Sequence, residues 1–460
     1  MNGAMKTLAP TLLLLSILAC VKICICNAAE ADGTGFQVLY AFPTATGELR
    51  LPHNSLVEGE DQQFYGTAWV GGPTDFDGGV YKISKGGQFT PLIYFDGTNG
   101  RSPRGGLVRG PDGSFFGVVN GGATSSNNNG SIYRITMNGG FSVLKTFSVS
   151  TNGSPEALTL APDGSLYGVT FGGGTFGWGS IFRFLTNGSF TPLYSFPVES
   201  AYPSKLAWGP DGWLYGTTGG SGGSRGTAFK FSTNGQLVTL AQFNGTNGSG
   251  PNGVPIIGKD GKLYGTTGGG GRFGFGTLFS ITTNGTLSTL IHFDGTNGMW
   301  PDSVIQSRDG FLYGVTIITS TNLLYGTIFR CTTNGVLTTV VRLDGTNGTR
   351  PYWSLVQSSD GSIYGALGDA MKKLPLINGG TFVRFEEQPT IASIVGNSTE
   401  ATLTWHSFTN RSYQVEYRQS LGETQWNRLE DVIVAQSDRT SFTVPNLGSP
   451  QRYYRVVLLP

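Results

Sequence analysis

Only three histidines and four cysteines occur in 460 residues, and charged side chains make up just 13% of the chain, with a net charge of +1. Each scarcity excludes something. A near-neutral chain has no electrostatic footprint for nucleic acid or for an anionic membrane surface. No His/Cys/Asp cluster has metal-ligand spacing, and no nucleophile stands in an evident set with a base, so neither a cofactor nor a catalytic group is expected. His53 reads as part of a loop between repeats, His292 as part of an outer strand and His406 as part of a second domain. At the place of His292 the sister repeats carry Tyr94, Thr146, Ser195, Gln242 and Arg342, which marks an exposed, unconstrained position. Three cysteines (Cys20, Cys24, Cys26) lie in the first 31 residues, leaving Cys331 alone and no internal disulfide beyond that segment. Cys331 takes the place of Ile83, Ile135 and Ile281, which reads as a small buried apolar residue rather than a reactive thiol.

Long apolar runs are also missing, apart from Leu8 to Ala19 behind Lys6. That run is too short to span a bilayer and fits a secretory signal over residues 1–31, with small residues at Ala28, Ala29 and Ala31 for cleavage. Ile17-Leu18-Ala19-Cys20 offers a second route, lipidation at Cys20, although Leu18 fits a lipobox poorly. The mature chain is expected to be extracellular or in the cell envelope, without a transmembrane helix and monomeric.

Glycine, in contrast, is abundant at 72 residues, and hydrophobic residues at 38% suffice for a packed core. An aromatic–glycine phrase recurs seven times, at Phe64-Tyr65-Gly66, Phe115-Phe116-Gly117, Leu166-Tyr167-Gly168, Leu214-Tyr215-Gly216, Leu263-Tyr264-Gly265, Leu312-Tyr313-Gly314 and Ile363-Tyr364-Gly365. Steps between the central rings are 51, 51, 48, 49, 49 and 51 residues, and a fixed period of this size marks a repeat architecture. Within one unit, Val254–Ile257, Lys262–Thr267, Thr277–Thr282 and Leu287–Phe293 read as four strands separated by Asp260-Gly261, a Gly-rich loop and Asn284-Gly285. A single meander cannot bury both faces, whereas seven arranged radially cover one another. The expected fold is therefore all-β, a seven-bladed β-propeller over residues 36–385. Phe36–Phe42 resembles a fourth strand but precedes the first unit, so it is expected to close the ring as the outer strand of the last blade. That blade's own third strand is sought near Met371 to Leu376. The ring before each glycine should fill the wedge between blades, and the glycine should let the neighbouring sheet approach.

The phrases Gly276-Thr277-Leu278-Phe279-Ser280-Ile281-Thr282-Thr283-Asn284-Gly285 and Asp294-Gly295-Thr296-Asn297-Gly298 recur in register. They resemble the GloVer (Gloeo/Verruco) tandem-repeat family of bacterial surface proteins over about residues 36–385. The resemblance implies an exported, often surface-attached bacterial protein and supplies no catalytic residues. From Pro389 the texture changes to alternating strands, with Trp405 early and Tyr453-Tyr454 late. Residues 389–460 look like a small fibronectin-type-III-like β-sandwich, a module that spaces or attaches, with Trp426 as a candidate sugar-stacking residue.

Loop lengths point to a site. First and third turns of each unit are terse, while second turns and links are long and carry Phe76, Phe176, Trp178, Phe273, Phe275, Trp300, Tyr352 and Trp353 on one face. Asp-Gly-Thr-Asn-Gly in the links offers one carboxylate and one amide, short of the six to eight oxygens of a calcium site. Gly268-Gly269-Gly270-Gly271 is followed by no helix and so forms no phosphate cradle. The repeat is least uniform where the inner strands start, at Asn54, Arg104, Glu156, Lys205, Asn252, Asp302 and Trp353. Those seven are the candidate ligand contacts at the channel mouth. Lys205 also replaces one of the small residues Ser55, Gly106, Ala157, Gly253, Ser303 and Ser354 near the axis. Two function classes follow: a non-catalytic exported protein binding glycan or protein through the loop-bearing face, or a polysaccharide-directed hydrolase or lyase using acids at the channel mouth.

Overall fold

The computed structural model describes residues 24–25, 35–121, 128–148, 153–319, 325–348, 351, 355–368, 379–386, 389, 391–396, 400–407, 411–420, 423, 425–437, 439–445 and 452–459. The chain divides into a unit of residues 29–387 and a second built from residues 1–28 and 388–460. Within the first, the described residues form seven four-stranded antiparallel sheets, and each aromatic–glycine phrase lies in the second strand of one of them. The fifth sheet is typical: Ser249–Ile257, Leu263–Gly269, Thr277–Ile281 and Leu287–His292 pair in sequence order. First strands of the first six sheets touch in succession, and those of the seventh and first sheets touch as well. The fold is a β-propeller.

Ring closure uses the strand the sequence left over. Gln37–Ala41 pairs antiparallel with Thr381–Phe385 and completes the seventh sheet from outside. The third strand of that sheet is thus Thr381–Phe385, not the stretch near Met371 to Leu376, which lies outside the described residues. A repeated hydrogen bond on the terse-turn face marks the same closure. Gln306 of the sixth sheet accepts the N–H of Lys259 in the fifth at 2.7 Å, and Gln357 of the seventh accepts that of Arg308 in the sixth at 2.9 Å. Glu58 of the first sheet accepts that of Ser359 in the seventh at 2.8 Å. The junction where the ring closes is therefore made like the junctions inside it.

The central ring of every phrase packs onto the next sheet, as its recurrence requires. Tyr65 stacks on Phe115 with centroids 4.2 Å apart, Tyr364 meets Phe64 at 4.6 Å across the closure, and Tyr264 joins Val304, Leu312 and Phe329 in one cluster. Each such ring removed from water contributes roughly 1.5–3 kcal/mol. In four sheets the phenol also ties the ring to its own Asp-Gly turn: Tyr215 donates to Asp211 at 2.6 Å, Tyr264 to Asp260 at 2.7 Å, and Tyr313 and Tyr364 to Asp309 and Asp360 at 3.0 Å. The glycine's role differs from the expectation. What lies over it, in every sheet but the seventh, is a ring of its own sheet: a methyl at Gly265 would stand 2.6 Å from Cζ of Phe279, its partner on the adjacent strand, whereas Gly365 meets Leu355 and Val383. Cys331 is fully buried beside Phe329 and Leu312, and burial pushes its thiol up to about 12, as an inert core residue requires.

In the second unit, Ile391–Gly396, Glu400–His406 and Arg439–Pro445 form one sheet. Tyr453–Leu458, Ser412–Arg418 and Asn427–Val434 form another, with Cys24–Ile25 added in parallel beside Tyr453–Tyr454. Leu403, Trp405, Tyr413, Val415 and Val456 make a shared core. Trp426 has the guanidiniums of Arg455 and Arg418 within 4.5 and 4.6 Å of its ring centroid. Its ring is already engaged by protein cations, so the sugar-stacking role is not supported.

Candidate binding site

Six of the inner strands carry a proline at one level: Pro52, Pro103, Pro155, Pro203, Pro251 and Pro301. Proline fixes φ and lacks an N–H, so it suits the start of strand pairing. The residue before it is left-handed in five sheets, at Leu51 (φ 53°), Ser102 (50°), Tyr202 (60°), Gly250 (59°) and Trp300 (55°). Immediately after it, the register of every one of these strands shifts. Bulges re-aim side chains, and the side chains at this level are those that differ from sheet to sheet.

Five of the seven sequence candidates come together here. Lys205 of the fourth sheet reaches Asn54 of the first, with Nζ 3.3 Å from Oδ1. Arg104 of the second pairs with Glu156 of the third at 3.4 Å. Asp302 of the sixth is buried, and its carbonyl accepts the Thr266 hydroxyl at 2.6 Å. Burial lowers the Lys205 pKa from 10.5 to about 8, against the opposing pull of Asp302 and Glu156, so both carboxylates lie within electrostatic reach of the ammonium. Asn252 occupies the equivalent strand of the fifth sheet, opposite Thr266. Trp353 lies outside the described residues.

The sequence reading missed two members. His53 is no loop residue but a buried one in the first inner strand, with its ring 4.8 Å from Trp69. Burial, then the nearby Lys205 and Arg104 cations, push its pKa well below 6.5. Neutral imidazole can accept at Nδ1, and Asn54 Nδ2 donates there at 2.5 Å. Asn54 therefore links His53 to Lys205. Trp69, on the second strand, also lies 5.8 Å beneath the Arg104 guanidinium. The signal available in sequence was the proline: counting from Pro52 places His53 level with Arg104 and Glu156. Crowding explains the small neighbours, since a methyl on Gly253 would stand 2.9 Å from the Asp302 carbonyl.

Around this mouth the loops carry exposed rings. Phe76, Phe176 and Phe273 project from the second turns of the first, third and fifth sheets, 60%, 60% and 48% exposed. Trp300 is also exposed, whereas Trp178 packs edge-on against Tyr202 and Phe275 against Met299, Ile317 and Ile318. Phe171, not singled out in sequence, is half-exposed and stacks on Tyr202 at 4.6 Å. Tyr352 lies outside the described residues. The link motif proves self-contained: Asp294 accepts from the N–H of Thr296 and Asn297 and from the Thr296 hydroxyl. Asn244 makes the same three bonds in the preceding link. A neutral amide does the work of the carboxylate, so the motif is a turn device.

The Gloeobacter/Verrucomicrobia repeat matches residues 27–154, 123–285 and 219–409. No curated protein matches the sequence. Among solved structures, an oligogalacturonate lyase in complex with manganese is similar with a TM-score of 0.50 at 12% identity, over 77% of this chain and 98% of that one. A gluconolactonase from Xanthomonas campestris gives 0.42 at 12% identity, over 76% and 98%. A puromycin hydrolase gives 0.48 at 13%, over 78% and 59%. At these identities the likeness extends to the fold alone.

Proposed function

The chain belongs to the Gloeobacter/Verrucomicrobia repeat family, and we propose that it is an exported, non-catalytic protein that binds glycan or another protein through the loop-bearing face of its propeller. One observation carries the reading. A repeat that is uniform in core, turns and links departs from uniformity at the channel mouth, and there it gathers Asn54, Arg104, Glu156, Lys205 and Asp302 from five different sheets. Drift at a tolerant loop end would not place a cation between two carboxylates and an amide in a half-buried position, where each group costs desolvation unless partnered. The exposed Phe76, Phe176 and Phe273 rings add contact area at low entropic cost.

Export rests on the apolar run at Leu8 to Ala19, with cleavage among Ala28 to Ala31 or at Cys20. The C-terminal unit, with its two sheets and shared core, reads as a fibronectin-type-III-like spacer or attachment module. A binding screen of the full chain against polysaccharides and surface proteins tests the main reading. Binding should be lost in a Phe76→Ala/Phe176→Ala/Phe273→Ala variant that still folds. Unchanged binding in that variant would move the site elsewhere. N-terminal sequencing of protein recovered from the producing cell tests export.

A second reading, a polysaccharide-directed hydrolase or lyase, is favoured by the Lys205 pKa of about 8, which lets the amine give up its proton near neutrality beside Glu156 and Asp302. Release of new reducing or unsaturated sugar ends from a polysaccharide, lost in Lys205→Met, would establish it.

A further inference from the structure

We propose that the channel mouth recognises the end of a neutral, hydroxyl-rich glycan, seating one terminal sugar against Glu156, Arg104, Lys205 and Ser303. This rests on the binding reading above and narrows its ligand to a chain end.

Three observations lead there. First, the way through is barred. Lys205 reaches across the axis from the fourth sheet to Asn54 of the first. A polymer cannot thread past that bridge, so only an end can enter to its depth.

Second, the charges are already balanced. Arg104 is paired with Glu156, and Lys205 rests on Asn54 within electrostatic reach of both Glu156 and Asp302. An anionic sugar or a zwitterion would gain its contacts only by parting these groups. A hydroxyl group both donates and accepts, and so can bridge carboxylate and cation without separating them.

Third, three polar atoms at this level have no hydrogen-bond partner among the described residues: Glu156 Oε2, an acceptor, and Arg104 Nε, a donor, both on side chains that are partly exposed (23% and 33%) and so can turn to a ligand; and the enclosed Ser303 Oγ, which can be either. Buried polar groups in native proteins are normally satisfied, and leaving them bare is costly. Vicinal hydroxyls on one sugar ring present that same mixture of donors and acceptors. Beyond the terminal sugar, the exposed rings of Phe76, Phe176 and Phe273 give the following units apolar surfaces to lie on.

The test is calorimetric titration of the full chain with cello-, xylo-, manno-, galacto- and malto-pentaose. Each is offered with free ends, with its reducing end reduced to the alditol, and with its non-reducing end capped by a bulky acetal. Penta-galacturonate and free amino acids serve as charged probes. The expected result is binding of at least one neutral pentaose, abolished by blocking one particular end. Glu156→Gln, which keeps the side-chain shape, and Lys205→Met should each weaken it at least tenfold with melting temperature undiminished. Binding indifferent to both end modifications and to both substitutions would overturn end recognition while leaving the loop-face reading in place. Preference for galacturonate or an amino acid would overturn the neutral class. No binding by any pentaose, with polysaccharide binding retained, would overturn the inference alone; loss of both would overturn it together with the glycan form of the proposed function.

Discussion

Lys205 Nζ and Asn54 Oδ1, 151 residues apart in the chain, meet at 3.3 Å across the propeller axis. No other sheet supplies a long cationic side chain at the place where its sisters carry Ser55, Gly106, Ala157, Gly253 and Ser303. A cation held here must be tolerated by the fold, and the depressed pKa records that burden.

Lys205→Met should therefore stabilise the protein at pH 7 while removing binding. The ammonium titrates near 8 in the folded chain against 10.5 when unfolded. Between those values the unfolded state holds more protons, so stability rises with pH there, and at pH 7 the penalty is present in full. Removing the ammonium removes a desolvation cost that outweighs its attraction to Asp302 and Glu156, so a net gain of about 1 kcal/mol is expected. Denaturant melts of both proteins at pH 7 and pH 10 should show a gap that narrows at the higher pH. At the acid end, His53 acts in the same sense, and stability should decline as pH falls below 6.5 because only the unfolded chain takes up that proton readily.

Gly265→Ala should destabilise the fifth sheet by about 1–3 kcal/mol, the usual range for overpacking a core. The added methyl has no free volume, with Phe279 Cζ at 2.6 Å and both ring edges at 3.2 Å. Pairing it with Phe279→Leu should recover part of the loss. A double-mutant cycle by urea denaturation reads the coupling.

Asp294→Asn should leave stability nearly unchanged, whereas Asp294→Ala should lower it by about 1 kcal/mol, the net worth of a typical lost hydrogen bond. Asn244 already performs the Asn case in the neighbouring link, with bonds to Thr246 and Asn247 at 2.8–3.1 Å. Calcium or chelator should shift the melting temperature of none of these proteins, which differential scanning calorimetry would check.

Glu58 guards the ring closure. Burial alone would raise its pKa, but hydrogen bonds from Lys85 and Ser359 outweigh it and hold the carboxyl below 4.5. Its contribution is thus present above pH 4.5 and lost as pH falls below that value. Glu58→Gln should keep the Ser359 N–H contact, as Gln306 and Gln357 do at the other junctions, and lose the 2.8 Å Lys85 ion pair, while the Ser358 and Ser359 hydroxyls that donate to Oε1 can turn to accept from the new amide. Glu58→Ala should lose both, for about 1 kcal/mol more. Thermal melts at pH 4 and pH 7 separate the two.

The repeat, the four strands of each unit and the closure by Phe36–Phe42 are legible in the amino-acid sequence, because each follows from local spacing: rings every 48 to 51 residues, Asp-Gly and Asn-Gly turns, and one orphan strand. The level of variation at the inner strand starts is legible there too. Which of those residues meet is settled only in three dimensions. His53 read as a loop residue because the extra residue after Pro52, the bulge that absorbs it and the Trp69 ring that covers it belong to different strands. The aromatic–glycine phrase revealed its period but not that the glycine answers to a ring on the adjacent strand. Lys205 and Asn54 carry no mutual signal along the chain, since contact across a closed ring depends on all the intervening sheets taking their places, and no local pattern encodes a distance that their sum sets.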